Sequence, residues 1–486
     1  MKNSRNLSAI LALALLLSAV SCGSSDVQDE TTQATETTTA PETDRFEKDD
    51  LPELNFGGKS AHIFLADYEI TNTIPDFVQD EEDGDIVHDA IYKRNRAVEE
   101  RLKVKLEWDQ TYFEYTTRDQ VYNSVRGSVM ADDGTLDIVA IPSYFMSTLV
   151  LEGLFTNLAD LPYIDIDKPW WYDGYNDVAT VNGKRYMMTG DASLTYFKGM
   201  YALLFNKSLG EEYGIDVPYD TILSGDWTLD VMDQMIKNTY SDLNGDGTVD
   251  EDDRFGISFT GANYIYPFME ASNVNALDTS KSGNERFIFD SEHNADVVSK
   301  LCGFLFDNDY VFMPKTNYAD ATESVFYKGR SLMTGGTLQQ IDIYRNAGFD
   351  YGVLPYPKFD ESQESYYTRA ATGTTVFAVA ATADTEIAAA VLEALGSESY
   401  RTVIPTYYEV ALKVKYTSDD KSAQVLDMIK ANVKVDFASV FAAALSGPTD
   451  RFRENIAAND PDWISTCAGI KDKTLTLLDD VLKVYE

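Results

Sequence analysis

The chain has 486 residues, 44% hydrophobic and 12% aromatic, which is enough for one very large core or two smaller ones. Eighty acidic residues against forty basic ones give a formal net charge of −40. A field of that sign repels phosphate backbones, so nucleic acids and polyanionic substrates are disfavoured. The three histidines and three cysteines leave few ingredients for a zinc site or a histidine-based triad.

Residues 1–21 read as a signal peptide. Lys2 and Arg5 form a positive start, and Leu7 to Leu17 is an apolar run too short to span a bilayer. The following Ser18-Ala19-Val20-Ser21-Cys22 is similar to a bacterial lipobox, with Ala19 where leucine is usual; Cys22 would be lipidated and become the mature N-terminus. An ordinary secretory signal with an incidental cysteine is the competing reading. Residues 22–57 are rich in Thr, Ser, Asp and Glu, a composition that predicts a disordered acidic tether. After Cys22 the tether carries ten acids and two bases, so most of the net charge belongs to the body. No other stretch is long and apolar enough to be a transmembrane helix.

From residue 58 short strands alternate with helices, which predicts an α/β architecture. Apolar or alternating runs predict strands at 61–65, 104–108, 136–140, 202–205, 255–259, 351–354 and 375–380. Helical spacing of apolar residues predicts helices near 85–102, 209–213, 228–239, 295–307, 386–396 and 421–431. Thr228 is suited to cap the helix that follows it, with Trp227 and Met232 forming a hydrophobic staple. Cys302 and Cys467 lack a CxxC partner and read as buried thiols, although an extracellular address also permits a long-range disulfide.

The sharpest local motif is Asp242 to Asp253, which has the form of a twelve-residue EF-hand calcium loop. Asp242, Asn244, Asp246, Asp250 and Asp253 offer side-chain oxygens at positions 1, 3, 5, 9 and 12. Thr248 offers its carbonyl at position 7, and Gly247 supplies the sharp turn at position 6. Asp253 stands where glutamate is usual, as in the dockerin variant of the loop. Carboxylates packed this closely repel one another unless a cation sits among them, and an all-oxygen set selects calcium over zinc or copper. The competing reading is a solvated acidic turn; a single loop of this kind suits a structural clip better than a sensor.

The order of segments resembles the extracellular solute-binding proteins of ABC importers, in the carbohydrate-binding group that includes the maltose-binding proteins. Thr135-Leu136-Asp137-Ile138-Val139 looks like the family strand that leads to the ligand cleft. Tyr201-Ala202-Leu203-Leu204-Phe205-Asn206-Lys207 is similar to the strand ending in "YNK" that enters the second lobe, with Phe205 for tyrosine. Phe326-Tyr327-Lys328-Gly329-Arg330-Ser331-Leu332-Met333 and Asp350-Tyr351-Gly352-Val353-Leu354-Pro355-Tyr356-Pro357 look like two further family segments. The resemblance covers nearly the whole mature chain. It implies two interleaved α/β lobes of the periplasmic-binding-protein type, joined by a hinge. Lobe I would be 58–197 plus 375–403 and lobe II 198–374 plus 404–486, with crossings near 196–201 and 370–376. It also implies a monomer on the outer face of the cytoplasmic membrane that hands a sugar to an ABC permease.

A sugar presents a ring of hydroxyls and an apolar face, so its site needs planar polar groups and aromatic rings. Pro169-Trp170-Trp171 suggests a lobe rim, with one of Trp170 and Trp171 stacking on ligand and the other packing inward. Tyr144 directly follows the strand 136–140, where cleft loops begin, and Tyr264 and Tyr266 follow 255–259. Asp191 is placed to accept paired hydroxyl bonds or to cap a turn, and Gly335 and Gly336 to allow close backbone approach. Arg369, near the second crossing, is suited to bidentate donation to hydroxyls or to a structural ion pair. A secreted glycoside-acting enzyme is the main alternative, but no G-x-S-x-G, H-E-x-x-H or P-loop motif occurs. A peptide-binding member of the same fold is another.

Overall fold

The computed structural model describes residues 47–69, 73–344, 346–408 and 420–486. The expected signal peptide, Cys22 and the expected tether up to residue 46 lie outside the described residues. In chain order the strands are β1 (Lys59–Tyr68), β2 (Val104–Phe113), β3 (Ile138–Pro142), β4 (Thr180–Val181), β5 (Lys184–Arg185) and β6 (Tyr201–Asn206). They continue with β7 (Phe255–Ser258), β8 (Val311–Phe312), β9 (Ser331–Thr337), β10 (Tyr351–Leu354) and β11 (Thr375–Val379).

Two separate sheets organise the chain. The first has the order β11-β3-β1-β2, with β1 parallel to β2 and β3 and with β11 antiparallel to β3. The second has the order β10-β6-β9-β7-β8. β4 and β5 form a small hairpin of their own. Every residue of β3, β6, β7, β10 and β11 is buried, as continuous apolar runs such as Ile138-Val139-Ala140-Ile141 require of strands covered on both faces. This is the two-lobed α/β arrangement that the resemblance implies.

Helix ends follow the cap chemistry. The helix Ile86–Leu102 starts with Asp85 accepting from the backbone of Val87 and His88, and it ends at Lys103 in the left-handed region at φ 54°. It packs on the helix Thr385–Arg401, whose run of buried alanines permits close approach. Thr228 caps the helix Leu229–Ile236, and Trp227 and Met232 are both fully buried beside it. The Trp227 indole N–H donates to the Pro355 carbonyl at 3.1 Å. The helices Asp119–Ala131 and Trp463–Val484 were not anticipated; the second is 22 residues long and packs against Glu292–Phe306. No helix among the described residues is long and apolar enough to cross a membrane.

The chain passes between sheets at three neighbouring places. Tyr201 N–H donates to the Arg369 carbonyl at 3.0 Å, and Ala371 N–H to the Gly199 carbonyl at 2.9 Å. Alongside, Thr368 N–H bonds the Asn432 carbonyl and Lys434 N–H bonds the Thr368 carbonyl. Gly199 is needed there: a Cβ would fall 2.8 Å from the Thr195 carbonyl oxygen. The observed crossings, 199–201 and 368–371, overlap the expected 196–201 and 370–376, and the 432–434 segment joins them as a third.

One boundary needs correction. Residues 47–57 are not part of a disordered leash; they run along the first sheet's layer. Leu51, Leu54 and Phe56 pack against its core, and the buried Asp49 carboxylate takes both terminal nitrogens of Arg101, at 2.5 and 2.7 Å. The three apolar residues late in the acidic stretch account for the difference. Cys302 and Cys467 are both buried free thiols, and burial pushes Cys302 up to about 11 and Cys467 up to about 12.

Replacing Trp227 with alanine removes a fully buried indole and its hydrogen bond. It is expected to lower stability by about 3–5 kcal/mol in urea unfolding; a loss under about 1 kcal/mol would show that the indole does not hold this part of the core together.

Candidate functional site

In open α/β sheets the carboxyl ends of parallel strands point their loops at the ligand. Here β1, β2 and β3 end at Tyr68, Phe113 and Pro142, and Tyr115 and Tyr144 follow the latter two directly. Their rings form a connected aromatic wall: Tyr115 and Tyr144 lie 6.3 Å apart, and Phe145 packs edge-on to Tyr144 at 5.2 Å. Arg118 stacks on the exposed Tyr115 ring at 4.5 Å. On the second sheet, β7 leads into the turn Ala262–Ile265, which packs against the helix Asp450–Ala457.

These walls meet. The Tyr144 hydroxyl is held above its usual range by burial, by its bond to Tyr115 and by the nearby charges of Asp450 and Tyr266, which belong to the second wall. Tyr266 is the centre of that wall. Its hydroxyl donates to Asp450 Oδ1 at 2.5 Å, and burial together with Asp450 pushes it up to about 12. The Arg369 guanidinium lies 5.1 Å from the Tyr266 ring centre and that of Arg453 5.4 Å. Tyr264 stands beside them, edge-on to Tyr201 at 6.0 Å.

Beneath this wall Arg369 faces Glu270 across the crossing segments. Both side chains are almost fully buried, with Arg369 Nη1 3.4 and 3.5 Å from the two carboxylate oxygens. Burial outweighs the attraction of Arg369 and pushes Glu270 up to about 7. A cavity of about 20 Å³ lies here, lined by Ser143, Tyr175 and Tyr196 from the first lobe and by Glu270, Arg369 and Ser439. That volume matches one water molecule and not a sugar ring. A wider, open groove of about 610 Å³ shares Val435 with it. Asp177, Asp278 and Asp436 line that groove, and no basic side chain does.

Of the anticipated ligand residues, Tyr264, Tyr266 and Arg369 lie on one wall, Arg369 within an ion pair, and Tyr144 stands on the other beside Tyr115. The others do not join them. Trp170 and Trp171 are 0% and 2% exposed, and both sink into the core under the helix Thr385–Arg401. Trp171 Nε1 donates to Glu393 at 3.0 Å, and Gly396 leaves the room that Trp170 fills. Neither has a free face for stacking, so the expectation that one of them contacts ligand is corrected. Asp191 is also buried; it accepts the Tyr172 hydroxyl, and burial pushes it up to about 7. Gly335 and Gly336 lie within strand β9, not a loop. A Cβ on Gly335 would meet the Tyr356 hydroxyl at 2.5 Å, so its missing side chain makes room for the chain's own tyrosine.

Four contributors were not anticipated: Tyr115, Glu270, Asp450 and Arg453. Tyr115 follows β2 as Tyr144 follows β3, so the same reasoning finds it. Asp450 and Arg453 sit on a short helix far along the chain, where no local pattern marks them.

The aspartate-rich loop is closed at its base by the bridge between Ser241 and Arg254. Asp242 accepts from Gly245 and Gly247 N–H at 2.6 and 2.9 Å, Asn244 from Asp246, and Asp246 from Thr248. Asp250 accepts from Asp252 N–H, and Gly247 takes the left-handed turn at φ 72°. Asp253 is fully buried, accepting from Leu243 and Asp250 N–H and from the Tyr240 hydroxyl. Among the described residues no group of three or more acidic, histidine or cysteine side chains converges to hold a metal ion.

Residues 110–400 match the sequence model of the family described as bacterial extracellular solute-binding protein. No curated protein matches the chain. Among solved structures, the maltose-bound MalE3 of T. maritima is 14% identical with a TM-score of 0.54, over 86% of this chain and 100% of that one. The GacH receptor of Streptomyces glaucescens, solved unliganded and with acarbose, is 13% identical with a TM-score of 0.54, over 87% and 99%. The substrate-binding protein Lmo0181 of Listeria monocytogenes, in complex with cycloalternan, is 13% identical with a TM-score of 0.51, over 87% and 99%. At these identities the likeness is one of fold.

The buried acids set a pH dependence. Asp191, Glu270 and Glu393 are each pushed up to about 7 by burial, so the folded chain keeps protons that the unfolded chain has already released. Stability should therefore fall as pH rises from the ordinary carboxylate range to about 7. Glu270→Gln is expected to flatten that fall in melting temperature between pH 5 and 7.5; parallel curves for the two proteins would show that Glu270 is ionised when folded.

Proposed function

The chain belongs to the bacterial extracellular solute-binding proteins, and from that premise we propose that it captures a sugar or oligosaccharide between its two lobes and delivers it to the permease of an ABC importer. The observation that carries this reading is the aromatic and charged lining on either side of the crossing segments: Tyr115 and Tyr144 at the strand ends of the first sheet, and Tyr266 with Asp450 and two arginines on the second. Tyrosine faces cover the apolar side of a sugar ring, while guanidinium and carboxylate groups bond its hydroxyls. The carbohydrate-bound state of the structurally similar proteins supports the same choice of ligand.

Delivery requires an external address. The proposed one is a lipid on Cys22, holding a monomer at the outer face of the cytoplasmic membrane. The proposed role is binding without turnover, in line with the solute-binding family whose model residues 110–400 match.

A calcium ion in the loop 242–253 belongs to the same proposal, as a structural clip with no part in ligand capture. Support comes from the ligand spacing of Asp242, Asn244, Asp246, Thr248, Asp250 and Asp253 and from the turn at Gly247.

Thermal-shift and calorimetric screening of the soluble mature chain against mono- and oligosaccharides tests the main reading. A cognate glycan at a hundredfold its Kd adds about 2.7 kcal/mol and raises the melting temperature. No response to any glycan, or release of reducing ends, sinks it. For the loop, a chelator should lower the melting temperature and added calcium restore it; indifference to both argues that the loop binds no ion.

A further inference from the structure

The cavity of about 20 Å³ lies against the crossing segment 368–371 and is lined by both lobes, with Tyr196 on one side and Glu270 and Ser439 on the other. Several of its hydroxyls already have partners. Ser143 Oγ donates to the Thr372 carbonyl at 3.2 Å, Thr374 Oγ1 to the Ala371 carbonyl at 2.7 Å, and the Tyr175 hydroxyl to the Met187 sulfur at 3.6 Å. Two lining groups do not. Ser439 Oγ and Glu270 Oε1 are buried with no hydrogen-bond partner among the described residues. Arg369 Nη1, 3.4 Å from Glu270 Oε1, is too distant for a well-made bond.

A hydroxyl and a carboxyl oxygen left unbonded in the interior are costly, and in a polar cavity such groups are ordinarily satisfied by an internal water. This volume admits one water, and Glu270, Ser439 and the Arg369 guanidinium give it three partners. Glu270 also lacks the close donors that an ionised carboxylate needs at this depth. Burial is the main influence on it and pushes it up to about 7; Arg369 and Lys434 act against that rise, and Asp436 adds to it. The Tyr201 hydroxyl lies within reach of the same charge. Each of the three crossing segments thus presents a group to this one acid: Tyr201, Arg369 and Lys434.

We propose that the cavity holds one internal water, bonded by Glu270, Ser439 and Arg369, and that Glu270 beside it makes the joint between the lobes proton-linked. While the cavity is shut, Glu270 keeps its proton. Movement at the crossing segments that opens the cavity lets bulk water hydrate the carboxylate, and the proton leaves to solvent. The shut arrangement is therefore favoured at low pH, and opening grows as pH climbs from the ordinary carboxylate range to about 7. This goes beyond the sugar-binding reading and does not depend on which ligand the lobes capture.

The test is water-deuteron relaxation dispersion on the soluble mature chain, cross-linked to stop its tumbling and without ligand. The measurement counts slowly exchanging internal waters and reads their residence times. Ser439→Val replaces the hydroxyl with methyl groups, fills the cavity and is expected to remove one slow water from the wild-type signal. Should that variant not fold, Ser439→Ala keeps the space, removes one partner and should shorten the residence time. Between pH 5 and 7.5 the wild-type residence time is expected to fall about tenfold or more, the scale set by an acid whose proton is held only in the shut form. In Glu270→Gln it should not change with pH. Identical dispersions for the wild type and the Ser439 variant overturn the water. The same pH course in the wild type and Glu270→Gln overturns the proton link, and neither result touches the sugar reading.

Discussion

Backbone hydrogen bonds between three segments that pass side by side, 199–201, 368–371 and 432–434, set the frame for everything else. They bring the ends of β6 and β11 together while the two sheets remain separate, and they place Arg369 between the walls. Because the bonds join main chain to main chain, their geometry depends little on side-chain identity; Gly199 is the exception, since a Cβ there collides with the Thr195 carbonyl. A joint of this kind tolerates small changes in backbone torsion without breaking a core. It is thus compatible with the hinge closure by which two-lobed proteins surround a ligand.

Aromatic residues divide by chemistry between core and cleft. Trp170, Trp171, Trp227 and Trp463 are all buried, and the last three place the indole N–H on a carbonyl or carboxylate. Tyr115, Tyr144, Tyr264 and Tyr266 remain at the walls, where a phenol can present a face and still bond at its edge. The contrast explains why the cleft is more polar than the aromatic count alone suggests.

How much was legible in the sequence follows the range of the forces involved. Strands such as Ile138–Pro142 and caps such as Asp85 and Thr228 are written in a few adjacent residues, and they fold as their pattern dictates. The place of Tyr144 just past β3 was legible because a strand end fixes what comes next. Trp170 and Trp171 misled because their burial depends on Gly190 and Gly396, distant glycines whose missing side chains make space for indoles. Asp450 and Arg453 carry no local sign at all; only the docking of their helix against the 262–265 turn brings them to Tyr266.

The clamp between Asp49 and Arg101, with Ser397 accepting the Asp49 amide, has a mechanical consequence. Force applied to the chain upstream of Glu47 enters the molecule through the layer of β1 and the helix Ile86–Leu102. Were the chain held from that end, as the proposed lipid on Cys22 would hold it, the pull would load the helix Ile86–Leu102 through Arg101 before it reached the crossing segments.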